Sequence, residues 1–315
     1  KVVFLFMATM KPQRVKSISE YHRILGLPKP EHPLISVINL DRTTRHSSDH
    51  NTIHSVFDFY FIALKRMKGV KYQYGQQHYD FEDDGVLFFM SPNQVLSVKF
   101  DEDATVEKPS GWFLLIHPDF IWNTTLAKSI KQYDFFNYSV NEALFLSEKE
   151  EKILVGILEN IEQEYHANID NFSQDIIIAH IETLLRYSDR FYNRQFITRK
   201  KANHEILETL EELLVGYFEN DDLISKGLPT VHYVSDKLNL SVSYLSRLLK
   251  VLTGQTTQQH IHDKLIEKAK EKLSTTDLSV SEIAYDLGFE HSQAFSRLFK
   301  SKTNQTPLEF RESFN

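Results

Sequence analysis

Cysteine is absent from all 315 residues. That excludes disulfides and every thiolate-bound zinc or iron-sulfur centre, and it suits a reducing compartment. Long apolar runs are missing as well: the opening stretch Val2 to Met7 has six residues, against the roughly 18 needed to cross a bilayer. No typical cleavage site follows it. Lys1 to Met10 therefore reads as a leader upstream of a natural start at Met7 or Met10, and the cytoplasm is the expected compartment. Nucleophile elbows, phosphate-cradling loops and paired acid/base motifs do not occur, which weighs against an enzyme, and no cofactor is expected.

What is present points to two domains, since the chain exceeds the roughly 100 to 200 residues typical of one. A hydrophobic content of 41% supplies packed cores. The net charge of −7 is unevenly shared: Lys226 to Asn315 carries 12 Lys and Arg against 10 Asp and Glu, or +2, which leaves −9 for the remainder. An acidic total does not exclude nucleic acid, because cations lining one face of a domain suffice.

From about Pro33 to Ile121 the residues favour strands: Val56 to Leu64, Tyr72 to Phe81, Gly85 to Met90, Gln94 to Phe100 and Gly111 to Ile116, punctuated by Gly, Pro, Asn and Asp. Short aromatic-rich strands of this kind predict an antiparallel barrel or sandwich. Helical spacing follows from Ser147 to about Tyr192, through Ile153, Ile157, Ile161, Ile177, Ile181, Leu184 and Leu185. Tyr192 to Asn203 is rich in Arg and Lys and reads as a solvated linker. His204 to Phe218 is amphipathic. The expected division is 1–192, a linker at 193–203, and 204–315.

The C-terminal segment contains a duplication. Tyr244 to Lys250 recurs as Ala294 to Lys300, and Gln255-Thr256 as Gln305-Thr306, at an offset of fifty; Ser235 to Leu240 recurs as Ala284 to Phe289 at forty-nine. Each copy has a small residue for close helix approach, a short turn and a second helix with polar residues outward. Gly288 and Asn239 suit the left-handed turn position. Ser279 with Glu282, Thr256 with Gln259 and Thr306 with Glu309 have capping-box spacing, and Pro307 suits a first helical position. Between the copies, Thr257 to about Leu273 predicts a connecting helix with the stripe Ile261, Leu265, Ala269 and Leu273. Its seventeen residues span roughly 25 Å, which would set the two second helices about one DNA turn apart, roughly 34 Å.

These residues resemble the AraC/XylS family of transcription regulators over about Leu228 to Phe314. The match is carried by Leu240 to Arg247, Ser281 to Phe289, Phe295 to Lys300, Thr306-Pro307 and Phe310-Arg311. Two departures stand out: Asn304 replaces a usual glycine, and Lys264 replaces a common arginine. The resemblance implies recognition positions at Ser243, Ser246 and Arg247 in the first copy and Ser292, Gln293, Ser296 and Arg297 in the second. Arg suits guanine and Gln suits adenine, while Lys250 and Lys300 can reach phosphates.

It also implies a sensor or dimerisation domain in front, often a cupin-like barrel. The expected fold class is thus α+β: an N-terminal antiparallel cupin-like β-barrel with packed helices, then an all-α double helix-turn-helix domain. Expected partners are double-stranded promoter DNA, RNA polymerase, a small-molecule effector and a second copy of the chain, joined through Ser147 to Tyr192. Phe57, Phe59, Phe61, Phe88 and Trp112, with Phe89 and Phe113 nearby, are candidates for lining an effector pocket or for ordinary core. His46, His50 and His54 recur every four residues, but the polar residues between them favour a surface loop over a metal site. Glu82-Asp83-Asp84 reads as a solvated turn. The competing reading is a metal-binding cupin or enzyme with a DNA-binding appendage.

Overall fold

A computed structural model describes residues 12–43, 52–66, 72–74, 77–79, 85–99, 110–138, 142–167, 172–219, 223 and 227–313. The leader, His46, His50 and the Glu82-Asp83-Asp84 turn lie outside the described residues. The chain divides into two compact units, Lys1–Gln195 and Phe196–Asn315.

In the first unit the described strands are β1 (Gln13–Val15), β2 (Ile35–Asn39), β3 (Thr52–Phe57), β4 (Tyr60–Arg66), β5 (Tyr72–Tyr74), β6 (Gln77–Tyr79), β7 (Val86–Met90), β8 (Val95–Lys99), β9 (Ser110–Ile116) and β10 (Leu144–Phe145). They pair as a three-stranded sheet β1-β3-β8, a five-stranded sheet β10-β7-β4-β9-β2 and the hairpin β5-β6. All these pairs are antiparallel except β1 with β3. The sheets are present, and among the described residues no pairing closes them into a barrel.

Two expected strands are divided. Val56 to Leu64 breaks at Asp58-Phe59 into β3 and β4, which belong to different sheets, because the Asp58 N–H donates to Val15 O and the Phe57 carbonyl accepts from Asn93 N–H. Tyr72 to Phe81 contains the hairpin β5-β6. β4 is central, between β7 and β9, and Tyr60 to Leu64 are all buried because both faces of that sheet are covered. Phe61, Ala63, Phe88 and Phe113 face the core shared with β1 and β3, whereas Tyr60 and Phe89 meet Phe135 and Phe136. This explains runs that do not alternate. Gly111, at φ +118°, leaves no room for a side chain: a Cβ there would stand 2.1 Å from the Leu64 carbonyl oxygen.

Helices α1 (Ile18–Ile24), α2 (Thr125–Ser129), α3 (Glu148–Tyr165) and α4 (Ser173–Thr198) complete this part. A capping box of Ser147 and Glu150 starts α3, and Arg194 of α4 grips the same Glu150 carboxylate at 2.6 and 3.0 Å. The stretch 193–203, expected as a solvated linker, contains the division between the two units. It is helical except for Arg199, and Tyr192, Phe196 and Asn203 are buried. Phe191, Tyr192 and Phe196 are buried on α4, and Arg194, one of the basic residues that suggested a linker, pairs with Glu150.

Among the described residues of the second unit the regular elements are helices: α5 (Lys200–Glu219), α6 (Val231–Lys237), α7 (Val242–Thr253), α8 (Thr257–Thr275), α9 (Val280–Asp286), α10 (Ser292–Thr303) and α11 (Pro307–Glu312). Its core joins Leu210, Leu214 and Phe218 of α5 to Leu245 and Leu249 of α7, the α8 stripe, and Phe295 and Phe299 of α10.

Candidate nucleic-acid interface

The duplicated sequence folds as two copies of one local plan. Ser235 and Ala284, at equivalent places in the first helix of each copy, are both buried. After each, the turn makes the same bonds. Leu240 N–H donates to Ser235 O and Phe289 N–H to Ala284 O, both at 3.0 Å, while Asn239 and Gly288 donate to Asp236 O and Tyr285 O. Asn239 and Gly288 hold the left-handed conformation at φ 54° and 81°. Gly288 is also packed tightly, since a Cβ would lie 3.1 Å from Leu223 O and 3.2 Å from Gly227 Cα.

Side-chain caps mark where α6, α7, α8, α9 and α11 begin, whereas α10 follows His291 with no side-chain cap. Ser241 accepts from Tyr244 N–H at the start of α7. Thr256 with Gln259, Ser279 with Glu282 and Thr306 with Glu309 form full capping boxes, and Pro307 takes the first turn of α11. The Glu282 and Glu309 carboxyls are held below the ordinary carboxylate range. For Glu282 the largest cause is the hydrogen bond with the Ser279 hydroxyl; for Glu309 it is the backbone N–H of Thr306. Gly254 and Asn304, fifty residues apart, end α7 and α10 in the left-handed region, with φ 75° and 61°. Asn304 thus serves where a glycine is usual, because its short amide side chain tolerates that conformation.

The two second helices present different surfaces. On α10, Gln293, Arg297 and Lys300 are exposed at spacings of four and three, so they share one face, with Ser292 and Ser296 half-buried beside them. On α7 the matching Ser243, Ser246 and Arg247 are half-buried and Lys250 is exposed. Ser246 Oγ lies 3.3 Å from Thr257 Oγ1, and Lys250 Nζ donates to the Gly254 carbonyl at 2.8 Å. The Arg247 guanidinium stands 5.7 Å from the centre of the Phe196 ring, which also packs edge-on against Tyr244. Sequence reasoning missed Phe196, because it lies in the stretch read as linker.

Helix α8 runs nineteen residues, two beyond the expected end, and buries Ile261, Leu265, Ile266, Ala269 and Leu273. Lys264 pairs with Glu211 and Glu267, both at 2.8 Å, which raises its ammonium pKa through the hydrogen bonds to those carboxylates. Arg311 of α11 donates to the carbonyls of Leu273 and Leu278 and so ties the end of α8 to α11.

A family model described as "Helix-turn-helix domain" matches residues 234–313, which span this double motif. The regulatory protein SoxS of Salmonella typhimurium is 31% identical over 110 residues, 35% of this chain and 96% of SoxS. The chain belongs to the AraC/XylS family of transcription regulators. An uncharacterized HTH-type transcriptional regulator in the cgkA 5' region of Pseudoalteromonas carrageenovora is 35% identical over 99 residues, 31% of this chain, and this chain spans 57% of that relative's length. The crystal structure of the C-terminal domain of the response regulator yesN from Fusobacterium nucleatum is 37% identical and covers 32% of this chain and 96% of its own, with a TM-score of 0.28. The similarity to AraC/XylS proteins thus covers about a third of the chain.

In front of the family's DNA-binding region, the effector candidates separate. Phe57, Phe59, Phe61 and Phe88 are buried against one another at centroid distances of 5.3 to 6.2 Å, as core does. Trp112 is buried outside that cluster, next to Phe113 on the strand, and so faces the other side of the sheet. A cavity of about 470 Å³ lies elsewhere in this unit, between His32, Leu34, Asp119, Phe120, Tyr165 and Gln174, and none of the five aromatic candidates lines it. Among the described residues no group of three or more His, Asp or Glu stands close enough to hold a metal ion. No described helix is long and apolar enough to cross a membrane.

Proposed function

We propose that the chain is a sequence-specific transcription regulator that grips duplex DNA with α7 and α10 in two successive major grooves. The observation that carries this reading is the exposed row Gln293, Arg297 and Lys300 on one face of α10. It places an amide, a guanidinium and an ammonium where a groove-bound helix needs donors for adenine, guanine and phosphate. The connecting helix spans about 28 Å at 1.5 Å per residue, a length that suits readers one turn of DNA apart, about 34 Å. Because α7 and α10 carry different side chains, the target is an asymmetric site, and one protomer needs no palindrome.

The N-terminal unit, read as a cupin-like sensor, holds a small-molecule effector that alters this binding. RNA polymerase and a second copy of the chain are its further partners. α3 and α4 turn Leu154, Leu158, Ile161, Ile181, Leu184 and Leu185 into their own unit, so self-association would use their outer faces.

The test is selection of bound sequences from random duplex DNA by the full chain, followed by gel shift. Enrichment of a two-part asymmetric site supports the reading. Binding that is equal for all sequences, with affinity set only by salt, overturns it.

A further inference from the structure

The connecting helix does more than hold the readers apart, because one of its side chains touches both. Asp263 lies two turns into α8. Its Oδ2 accepts from Gln255 Nε2 at 2.8 Å, and Gln255 is the residue that leaves the first reader just after the Gly254 cap. Its Oδ1 pairs at 2.7 Å with Lys302 Nζ, in the last turn of α10. Both carboxylate oxygens are therefore used, one toward each reader.

Two neighbouring contacts fasten the first reader to the same end of α8: Ser246 with Thr257, and Thr253 Oγ1 with His260 Nε2 at 2.9 Å. Lys302 adds the side-chain tie from that end of α8 to the recognition helix of the second reader.

We propose that Asp263 is a positioning residue that fixes the angle and spacing between the two recognition helices, and so makes the protein selective for the distance between its two half-sites. This rests on the DNA-binding reading above. The ion pair is partly exposed, and such pairs add little to stability; what a two-sided carboxylate decides is orientation. Spacing is demanding in duplex DNA, because each added base pair shifts the second groove by about 3.4 Å and turns it by about 35°. A clamp that resists that turn penalises the wrong spacing, whereas a loosened one accepts it. Asp263 touches no base in this scheme and acts through Gln255 and Lys302.

The experiment uses the full chain and the two-part site it selects, with one base pair added or removed between the halves. For the native protein a one-base-pair change is expected to weaken binding about tenfold. Asp263→Asn abolishes the ion pair and should bring that penalty to threefold or less while binding to an isolated half-site stays within twofold. Lys302→Met cuts only the arm to the second reader and should relax spacing in the same way, which keeps the test decisive if Asp263→Asn folds poorly. Asp263→Glu should restore most of the penalty. A native-sized spacing penalty in folded Asp263→Asn or in Lys302→Met overturns the proposal. Absence of any selected two-part site for the native chain would instead overturn the DNA-binding reading, and the clamp with it.

Discussion

Arg247 and Arg297 occupy equivalent places in the duplicated sequence, yet their surroundings separate what they do. Arg297 is exposed on α10, whereas Arg247 is half-buried over the Phe196 ring. Arg297→Ala should leave thermal stability unchanged and weaken specific DNA binding by about 1 to 3 kcal/mol, with one base position relaxed; gel-shift titration on single-base variants of the selected site measures both. Arg247→Ala should in addition lower stability by about 0.5 to 1 kcal/mol through the lost cation–π contact, visible as a fall in Tm. Gly288 combines a left-handed backbone with backbone atoms 3.1 to 3.2 Å from any Cβ. Gly288→Ala should cost at least about 1 to 2 kcal/mol, seen as a drop of several degrees in Tm. In the N-terminal unit, burial holds the His22 imidazole below its ordinary pKa, and the ring nitrogens meet Pro28 O and Ser36 Oγ. A histidine kept neutral in the folded state gains protons on unfolding. Its contribution is therefore full above about pH 6.5 and is lost as the pH falls below that value. Urea titrations at pH 7.5 and 5.5 should show this loss, and His22→Gln should flatten it.

At the scale of single elements, side-chain caps decide where α6, α7, α8, α9 and α11 begin. The Thr256 hydroxyl accepts from Gln259 N–H while Gln259 Oε1 accepts from Thr256 N–H. Thr256→Ala should cost about 0.5 to 2 kcal/mol, read from urea unfolding at pH 7. The boxes at Ser279 and Thr306 depend on the carboxylates of Glu282 and Glu309, whose pKa values are depressed in the fold. Stability from these groups is present above the ordinary carboxylate pKa of about 4.3 and disappears as the pH falls through their lower folded values. Ser279→Ala and Thr306→Ala should thus have a smaller effect at pH 3 than at pH 7. The strands carry a different lesson. β4 is buried on both faces, so its sequence shows no alternation, and the break at Asp58-Phe59 follows from backbone partners on β1 and beside β8. Sequence periodicity contains neither of those partners.

For the whole molecule, unequal readers on one compact unit predict an asymmetric footprint. Replacing one half-site by the inverted repeat of the other should abolish most specific binding, measured by fluorescence anisotropy, whereas a symmetric dimeric reader would favour that palindrome. The excess charge of about +2 in the C-terminal ninety residues is modest for a DNA grip. Net charge does not set the number of phosphate contacts, since only the cations on the DNA-facing side count; the slope of log affinity against log salt, about −0.9 per phosphate neutralised, should fall by about one when Lys300 is replaced by Ala.

The duplicated helix-turn-helix was legible from the residues alone because its determinants are local. A cap hydroxyl, an acid three residues later, a residue that tolerates positive φ and a small side chain at a helix crossing each act within a few positions, and they recur at a fixed offset. The tertiary structure decided what depends on residues far apart in the chain. It turned the basic stretch after Tyr192 into helix by burying Phe196, and it divided one aromatic run between two sheets. It packed Phe57, Phe59, Phe61 and Phe88 against one another, and it closed Asp263 onto both Gln255 and Lys302. Burial and ion pairing are set by partners distant in sequence, and periodicity along one segment carries no record of them. The duplicated motif was therefore visible in the sequence, while the contacts that join its two copies appeared only in the fold.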